Sequence, residues 1–263
     1  MSTWTITPLV VALGPQREKS RFTYMHNFGD KVDVPYVAWL LRDGEHTVLV
    51  DTGCSAQAFA EQIRPGDGPL MLAGERFQDV QDIVPIEERL AAQGLGFDDI
   101  DLLIQTHLDW DHTMNTTKFT RSRIVVQRDE WTKIPAHPLF ASTYAPKSHY
   151  EAIGNLNLDL LEGDQEMFPG LRLMVTAGHS PAGQSIVVDT DEGPHVIVGM
   201  CTIRENFFPP ESVLSKGTYT VIPTGMHTDL LRCYDSMLRI KAVPEATILP
   251  FHDDAVLTME PIG

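Results

Sequence analysis

The sequence is short of cysteine, of basic charge and of long apolar runs, and each shortage removes a class of protein. Its 263 residues include 3 cysteines, Cys54, Cys201 and Cys233. They make no C-x-x-C pair, which excludes a disulfide framework and points to a reducing compartment. Lys and Arg number 20 against 36 Asp and Glu, a formal net charge of -16. Such a surface repels phosphate backbones and anionic lipid at long range, so neither nucleic acid nor membrane is expected as a partner. The opening MSTWTITPLVVALG has no basic n-region, and its apolar run is too short for a signal peptide or a span, so the cytoplasm is the expected location. No repeat, low-complexity tract or linker interrupts the chain. A single domain over residues 1–263 is expected, with two halves of similar rhythm meeting near residue 150.

What is present is a rhythm of short strands. Thr5 to Leu13, Val34 to Leu41 and His46 to Asp51 read as strands, the last ending in the turn Asp51-Thr52-Gly53. Residues 66–74, rich in Gly and Pro, read as an exposed excursion. Pro85 before IEERLAAQ and Gly94 after it bracket a helix. Asp101 to Thr106 reads as a buried strand, Arg123 to Gln127 as another, and Arg128 to Ile134 as a short helix. The aromatic stretch from Pro135 to Tyr150 reads as an irregular covering loop. Strands follow at Leu171 to Thr176, Gln184 to Asp189, Val196 to Met200 and Ala246 to Leu249. Between the last two lies a helix with Leu230, Leu231, Tyr234, Met237 and Leu238 at helical spacing and Thr228 as its cap.

The residues that bind divalent metals recur at one kind of place, just past a strand. His107, Asp109, Asp111 and His112 follow the strand ending at Thr106 in the segment HLDWDH. His179 follows the strand ending at Thr176, Cys201 follows Met200, and His252 follows the strand ending near Leu249. Loops at strand ends are where a rigid scaffold presents functional groups, and imidazole, carboxylate and thiolate are the metal-binding side chains. Asp51 reads as a hydrogen-bonding partner that orients a ligand. His26, His137, His149 and His227 read as polar groups without a ligand role.

HxxxDH, then GHS, then a residue past a strand, then a late histidine resembles the metallo-β-lactamase superfamily, with VLVDTG (48–53) and TAGHSPAGQS (176–185) as supporting landmarks. The closest style is that of bacterial lactonases, including those acting on N-acyl homoserine lactones. The resemblance implies an α+β fold, a four-layer αββα sandwich, and a centre of one or two divalent metals with zinc leading and manganese or iron as alternatives. Carried over by position, His107, Asp109 and His179 would hold one metal, and Asp111, His112 and His252 the other. Cys201 falls where the family has a bridging aspartate, and Asp109 where it has histidine. A homodimer is a further implication of the resemblance alone.

Such a site implies hydrolysis. A divalent metal lowers the pKa of bound water to roughly 7, and the resulting hydroxide attacks a carbonyl carbon. Asp111 would orient the nucleophile and return a proton to the leaving alkoxide. A tyrosine would stabilise the oxyanion, with Tyr144 or Tyr150 chosen by region. The expected substrate is a small neutral lactone or related ester. The alternatives are an amide, thioester or carbamate hydrolase of a neutral metabolite, an iron-dependent oxidoreductase, and a metal- or ligand-binding homologue without catalysis.

Overall fold

The structure, a computed structural model, describes residues 3–57, 80–136, 147–215, 217 and 220–263. Among them the strands form two sheets. The first has the order β4-β1-β2-β3-β5-β6-β7, built from β1 (Thr5–Glu18), β2 (Lys31–Arg42), β3 (Thr47–Val50), β4 (Gln81–Asp82), β5 (Leu102–Ile104), β6 (Arg123–Gln127) and β7 (Leu158–Leu161). The second has the order β12-β11-β10-β9-β8, from β8 (Gln165–Phe168), β9 (Leu171–Val175), β10 (Gln184–Thr190), β11 (Gly193–Val198) and β12 (Thr247–Pro250). Strands β3, β5, β6 and β7 are mutually parallel, as are β11 and β12, while β8 to β11 run antiparallel in succession.

The period-2 alternation of the strands builds the layers. Along β2, Val37, Trp39 and Leu41 face the second sheet, where they meet Leu173, Ile186, Val188, Ile197 and Phe251. The intervening Tyr36, Ala38 and Leu40 face the other way, toward Ile86 and Leu90 of α1 (Ile86–Ala92). On the far side of the second sheet, Val187, Val196 and Val198 pack against Cys233, Met237 and Ile240 of α7 (Leu230–Lys241). Helix, sheet, sheet and helix give the four layers expected. Strands buried on both faces read as near-continuous apolar runs, which is why β2 and β5 stood out. Shorter helices lie between: α2 (Trp110–Thr113), α3 (Arg128–Lys133), α4 (Lys147–Gly154), α5 (Arg204–Phe207) and α6 (Glu211–Leu214). No helix among the described residues is long and apolar enough to cross a membrane.

Several readings of the sequence change, the first being that the strand expected to end at Leu13 runs on to Glu18. Strands β4, β7 and β8 were not foreseen, because Gln81-Asp82, Leu158-Asp-Leu-Leu and Gln165-Glu-Met-Phe are short and carry charge at the outer edges of their sheets. The stretch taken as irregular through Tyr150 turns helical at Lys147, where α4 begins. Helix α7 is capped by Asp229, whose side chain accepts from Arg232 N at 3.0 Å. Thr228 instead grips the Gly178 carbonyl through its backbone N–H at 2.7 Å and its hydroxyl at 3.1 Å. The excursion at 66–74 and Tyr144 lie outside the described residues.

Gly178, next to His179, has φ +129, and a Cβ there would come within 2.2 Å of Cys233 N in α7. Gly94, past α1, has φ +74 with nothing within 4 Å of a Cβ. The two separate backbone strain from steric overlap. Gly94→Ala is expected to cost about 1 kcal/mol; Gly178→Ala adds overpacking and is expected to cost about 2–4 kcal/mol. Urea midpoints with unchanged m-values check this, and equal midpoints for the two variants would contradict it.

Candidate metal centre

The six His and Asp residues singled out in the sequence gather into two groups at the carboxyl ends of the strands. His107, Asp109 and His179 offer ligand atoms that all lie within 4.8 Å of one another, and so do Asp111, His112 and His252. In the first, His107 Nε2 and His179 Nε2 are 3.1 Å apart, and Asp109 Oδ2 lies 3.4 Å from one and 3.3 Å from the other. In the second, Asp111 Oδ2 lies 3.4 Å from His112 Nε2 and 3.5 Å from His252 Nε2. Two donors each ~2.1 Å from one ion, at ligand angles of tetrahedral or octahedral type, stand roughly 3–3.5 Å apart. The residues therefore fit a divalent cation in each group.

Hydrogen bonds at the other ring nitrogen fix which way each imidazole faces. His179 Nδ1–H donates to the Met226 carbonyl at 2.6 Å, and His252 Nδ1–H to the Pro35 carbonyl at 3.1 Å. His112 Nδ1–H donates to Asp51 Oδ2 at 2.6 Å. The Thr106 hydroxyl donates to the same Asp51 oxygen at 2.6 Å, and so accepts from His107 Nδ1–H at 2.9 Å. Every ring is thereby held with Nε2 turned inward. That is the arrangement of metal-binding histidines, whose second nitrogen is anchored to a carbonyl or carboxylate. His112 Nε2 is buried with no hydrogen-bond partner, as a nitrogen reserved for a cation would be.

Local chain geometry explains the presentation. Segment HLDWDH leaves β5 as an extended stretch through Asp109, then closes into the single turn α2, which carries Asp111 and His112. The DTG turn after β3 holds that turn from beneath. Thr52 N–H donates to the His112 carbonyl at 2.8 Å, and Asn115 Nδ2 donates to Thr52 O at 3.0 Å. Asp51 itself has φ +56, a left-handed conformation costly for a non-glycine residue. Its carboxylate accepts from Thr106 N at 2.7 Å, from the Thr106 hydroxyl and from His112. The two sheets are joined just below the site, where Gln184 N–H donates to Thr106 O at 2.9 Å and Gln184 Nε2 to Gln105 O at 2.8 Å.

Electrostatics separate the rings. Burial pushes His107 and His252 down to about 4, leaving both neutral near pH 7. Burial also opposes charge on His112, but Asp111 and Asp51 outweigh it and hold the ring up to about 10. Against its burial, Asp109 likewise raises His179 above the ordinary imidazole range; a bound cation would displace the proton from either ring. Asp109 is held well below the usual carboxylate range, His107 and His179 prevailing over its desolvation.

Cys201 is brought beside the site but into neither group. Its thiol donates to Met226 Sδ at 3.8 Å, and burial, with Asp111 adding to it, raises it well above the ordinary thiol range. Tyr150 is buried and its hydroxyl donates to Leu108 O at 2.7 Å. Sequence reasoning missed Tyr36, whose ring centroid lies 5.3 Å from Trp110 and 5.9 Å from His252; the alternation of β2 was the available signal. It also missed Met226, whose carbonyl anchors His179 from a segment without a motif.

Comparison with known proteins agrees with this geometry. The model of the metallo-beta-lactamase superfamily matches residues 32–252. An N-acyl homoserine lactonase of Bacillus thuringiensis is 31% identical over 202 residues, covering 71% of this chain and 75% of that protein. The N-acyl homoserine lactonase AiiB of Agrobacterium fabrum is 27% identical over 194 residues, 68% of this chain and 67% of that one. A solved structure of an N-acyl homoserine lactone hydrolase, with the product N-hexanoyl-L-homoserine bound at its catalytic metal centre, superposes with a TM-score of 0.73 at 25% identity, over 98% of this chain and 96% of the other. The family match runs from β2 through β12, taking in strands of both sheets and all six residues of the two groups: the chain belongs to the metallo-beta-lactamase superfamily.

Proposed function

We propose that the protein hydrolyses the ester bond of a small neutral lactone carrying an apolar substituent. The observation that carries this is the pair of His₂Asp groups at ligand spacing. Cations held by His107, Asp109 and His179 and by Asp111, His112 and His252 would supply Lewis acidity and lower the pKa of water to about 7. The relatives reported above are named as lactonases, which supports an ester as the scissile bond. The formal net charge of -16 disfavours anionic substrates.

The chain's own groups divide the remaining work. Asp111 is buried with Oδ2 toward His112 and His252, and is held ionised by them against its own desolvation. It is suited to orient the attacking water, take up its proton and return it to the leaving alkoxide. Phe22 packs on His252 at 6.0 Å between ring centroids, and the segment after it exposes Tyr24, Met25 and Phe28. Asn27 of that segment donates to Glu205 of α5 at 2.9 Å, and Phe208 beyond α5 is also exposed. This apolar rim suits the tail of an acyl-bearing lactone. Tyr144 stays a candidate for the oxyanion donor. A cytoplasmic location suits three cysteines that are all buried and unpaired.

Zinc is the first metal to test. Two imidazoles and one carboxylate are also a ligand set that iron(II) and manganese take, and this favours, as a second reading, an iron-dependent oxidoreductase. Acid release from a panel of lactones by zinc-, manganese- and iron-loaded protein is expected for the first reading, while oxygen consumption by iron-loaded protein with a reductant marks the second. Silence on every lactone with metal bound would remove the lactonase reading. His112→Ala is expected to lose bound metal and at least about 100-fold in activity while staying folded; full metal content would contradict its role as a ligand. Asp109→His is expected to shift uptake toward zinc when zinc, manganese and iron(II) are offered together under anaerobic conditions, because imidazole is a softer donor than carboxylate. Elemental analysis reads the ratio, and an unchanged ratio would contradict a ligand role for Asp109.

A further inference from the structure

We infer that Glu130 is the positioning residue of the first metal group: its one buried carboxylate ties together the two loops that carry His107, Asp109 and His179. Glu130 lies in the first turn of α3, immediately past β6, and is 0% exposed. Oε1 accepts from Leu108 N at 3.2 Å, and Oε2 accepts from Ala182 N at 2.9 Å. Leu108 is the residue between His107 and Asp109, and Ala182 stands in the turn that follows His179. The Leu108 carbonyl, in the next peptide, accepts from the Tyr150 hydroxyl at 2.7 Å.

Leu108 and Ala182 come from different sheets, so a carboxylate accepting from both sets the distance between the loops. Two buried N–H groups left without their acceptor would be costly. With no exposure, Glu130 cannot reach a substrate, so whatever it contributes passes through the groups it holds. The joint between Gln184 and Thr106 fixes the bases of these loops, Thr228 and Met226 hold the far side of the His179 loop, and Glu130 links one loop to the other. The second group is anchored elsewhere, His112 by Asp51 and His252 by Pro35. Loss of Glu130 should therefore fall on one metal and spare the other.

The inference rests on the reading of these residues as metal ligands, and zinc binding tests the two separately. Apo-protein is refilled with Zn²⁺ against a chromophoric chelator, for the wild type, Glu130→Ala and Glu130→Gln. If the wild type takes up no zinc, the metal-centre reading fails and this inference with it. Given uptake, Glu130→Ala is expected to weaken one equivalent about 10–100-fold, leaving a second, where the wild type has one, within about twofold. Glu130→Gln keeps one acceptor and opposes an amide NH₂ to the other N–H, so it should fall between. A folded Glu130→Ala protein that binds zinc as the wild type does would overturn the inference. So would equal weakening of two equivalents, which marks general destabilisation. Should Glu130→Ala fail to fold, Glu130→Gln decides by the same comparison.

Discussion

Asp51 governs an imidazole in each metal group through a single carboxylate oxygen. Oδ2 takes His112 Nδ1–H directly and reaches His107 Nδ1–H through the Thr106 hydroxyl. Both rings are thus held with Nδ1–H on this network and Nε2 toward the site. The chain adopts a left-handed conformation at Asp51, a strain of order 1–3 kcal/mol that persists only where surrounding contacts over-determine it. Those contacts are the two bonds from Thr106, the bond from His112, and the grip of Thr52 on the His112 carbonyl. Position and protonation of the site therefore share one cause. Moving the DTG turn would misplace Nε2 of His112 and free its tautomer together.

The scaffold makes this possible by direction. Because β3, β5 and β6 are parallel, and β9, β11 and β12 run alike, the loops carrying Asp51, His107 to His112, His179 and His252 leave their strands toward one rim. The apolar layer between the sheets brings the two sets of loops face to face, with Phe251 at its edge packing on His112 at 4.5 Å between ring centroids. A one-residue slip of any of these strands would exchange its two faces. The register that buries the core is therefore also the register that places the ligands.

How much of this was legible follows from what local patterns encode. The six His and Asp residues could be read because each sits past an apolar run, and HLDWDH packs four of them into one segment. Their division into two groups followed from resemblance, and the geometry agrees with it. Asp51 was legible from DTG. Glu130 and Met226 were not, because each acts through backbone groups brought close only by the tertiary fold: a buried glutamate in a short helix looks like any surface glutamate, and a carbonyl has no side-chain signature. Thr228 misled because it precedes the apolar spacing of α7, as a cap would. One residue further on, Asp229 does the capping, since the Thr228 hydroxyl is taken by Gly178 O. Strands β7 and β8 close the outer edges of the sheets, where charged residues dilute the apolar period.

The two departures from the family pattern compensate one another. Where the resemblance places histidine and a bridging aspartate, this chain has Asp109 and Cys201. Asp109 is held ionised, and burial keeps the Cys201 thiol protonated, so a negative charge gained at one position is given up at the other. Two carboxylates still face the imidazoles, but the second stands within the first group and not between the groups. The result is two sets of identical composition, each two imidazoles and one carboxylate. Equal donor sets give neither position an intrinsic preference for a different metal, so any difference between them has to come from what surrounds them. For the first group that is the clamp of Glu130 on its loops, and for the second the Asp51 carboxylate bound directly to a ligand ring. A carboxylate on Nδ1 makes an imidazole more electron-donating than a carbonyl or hydroxyl does, which makes the group of His112 the stronger donor set of the two.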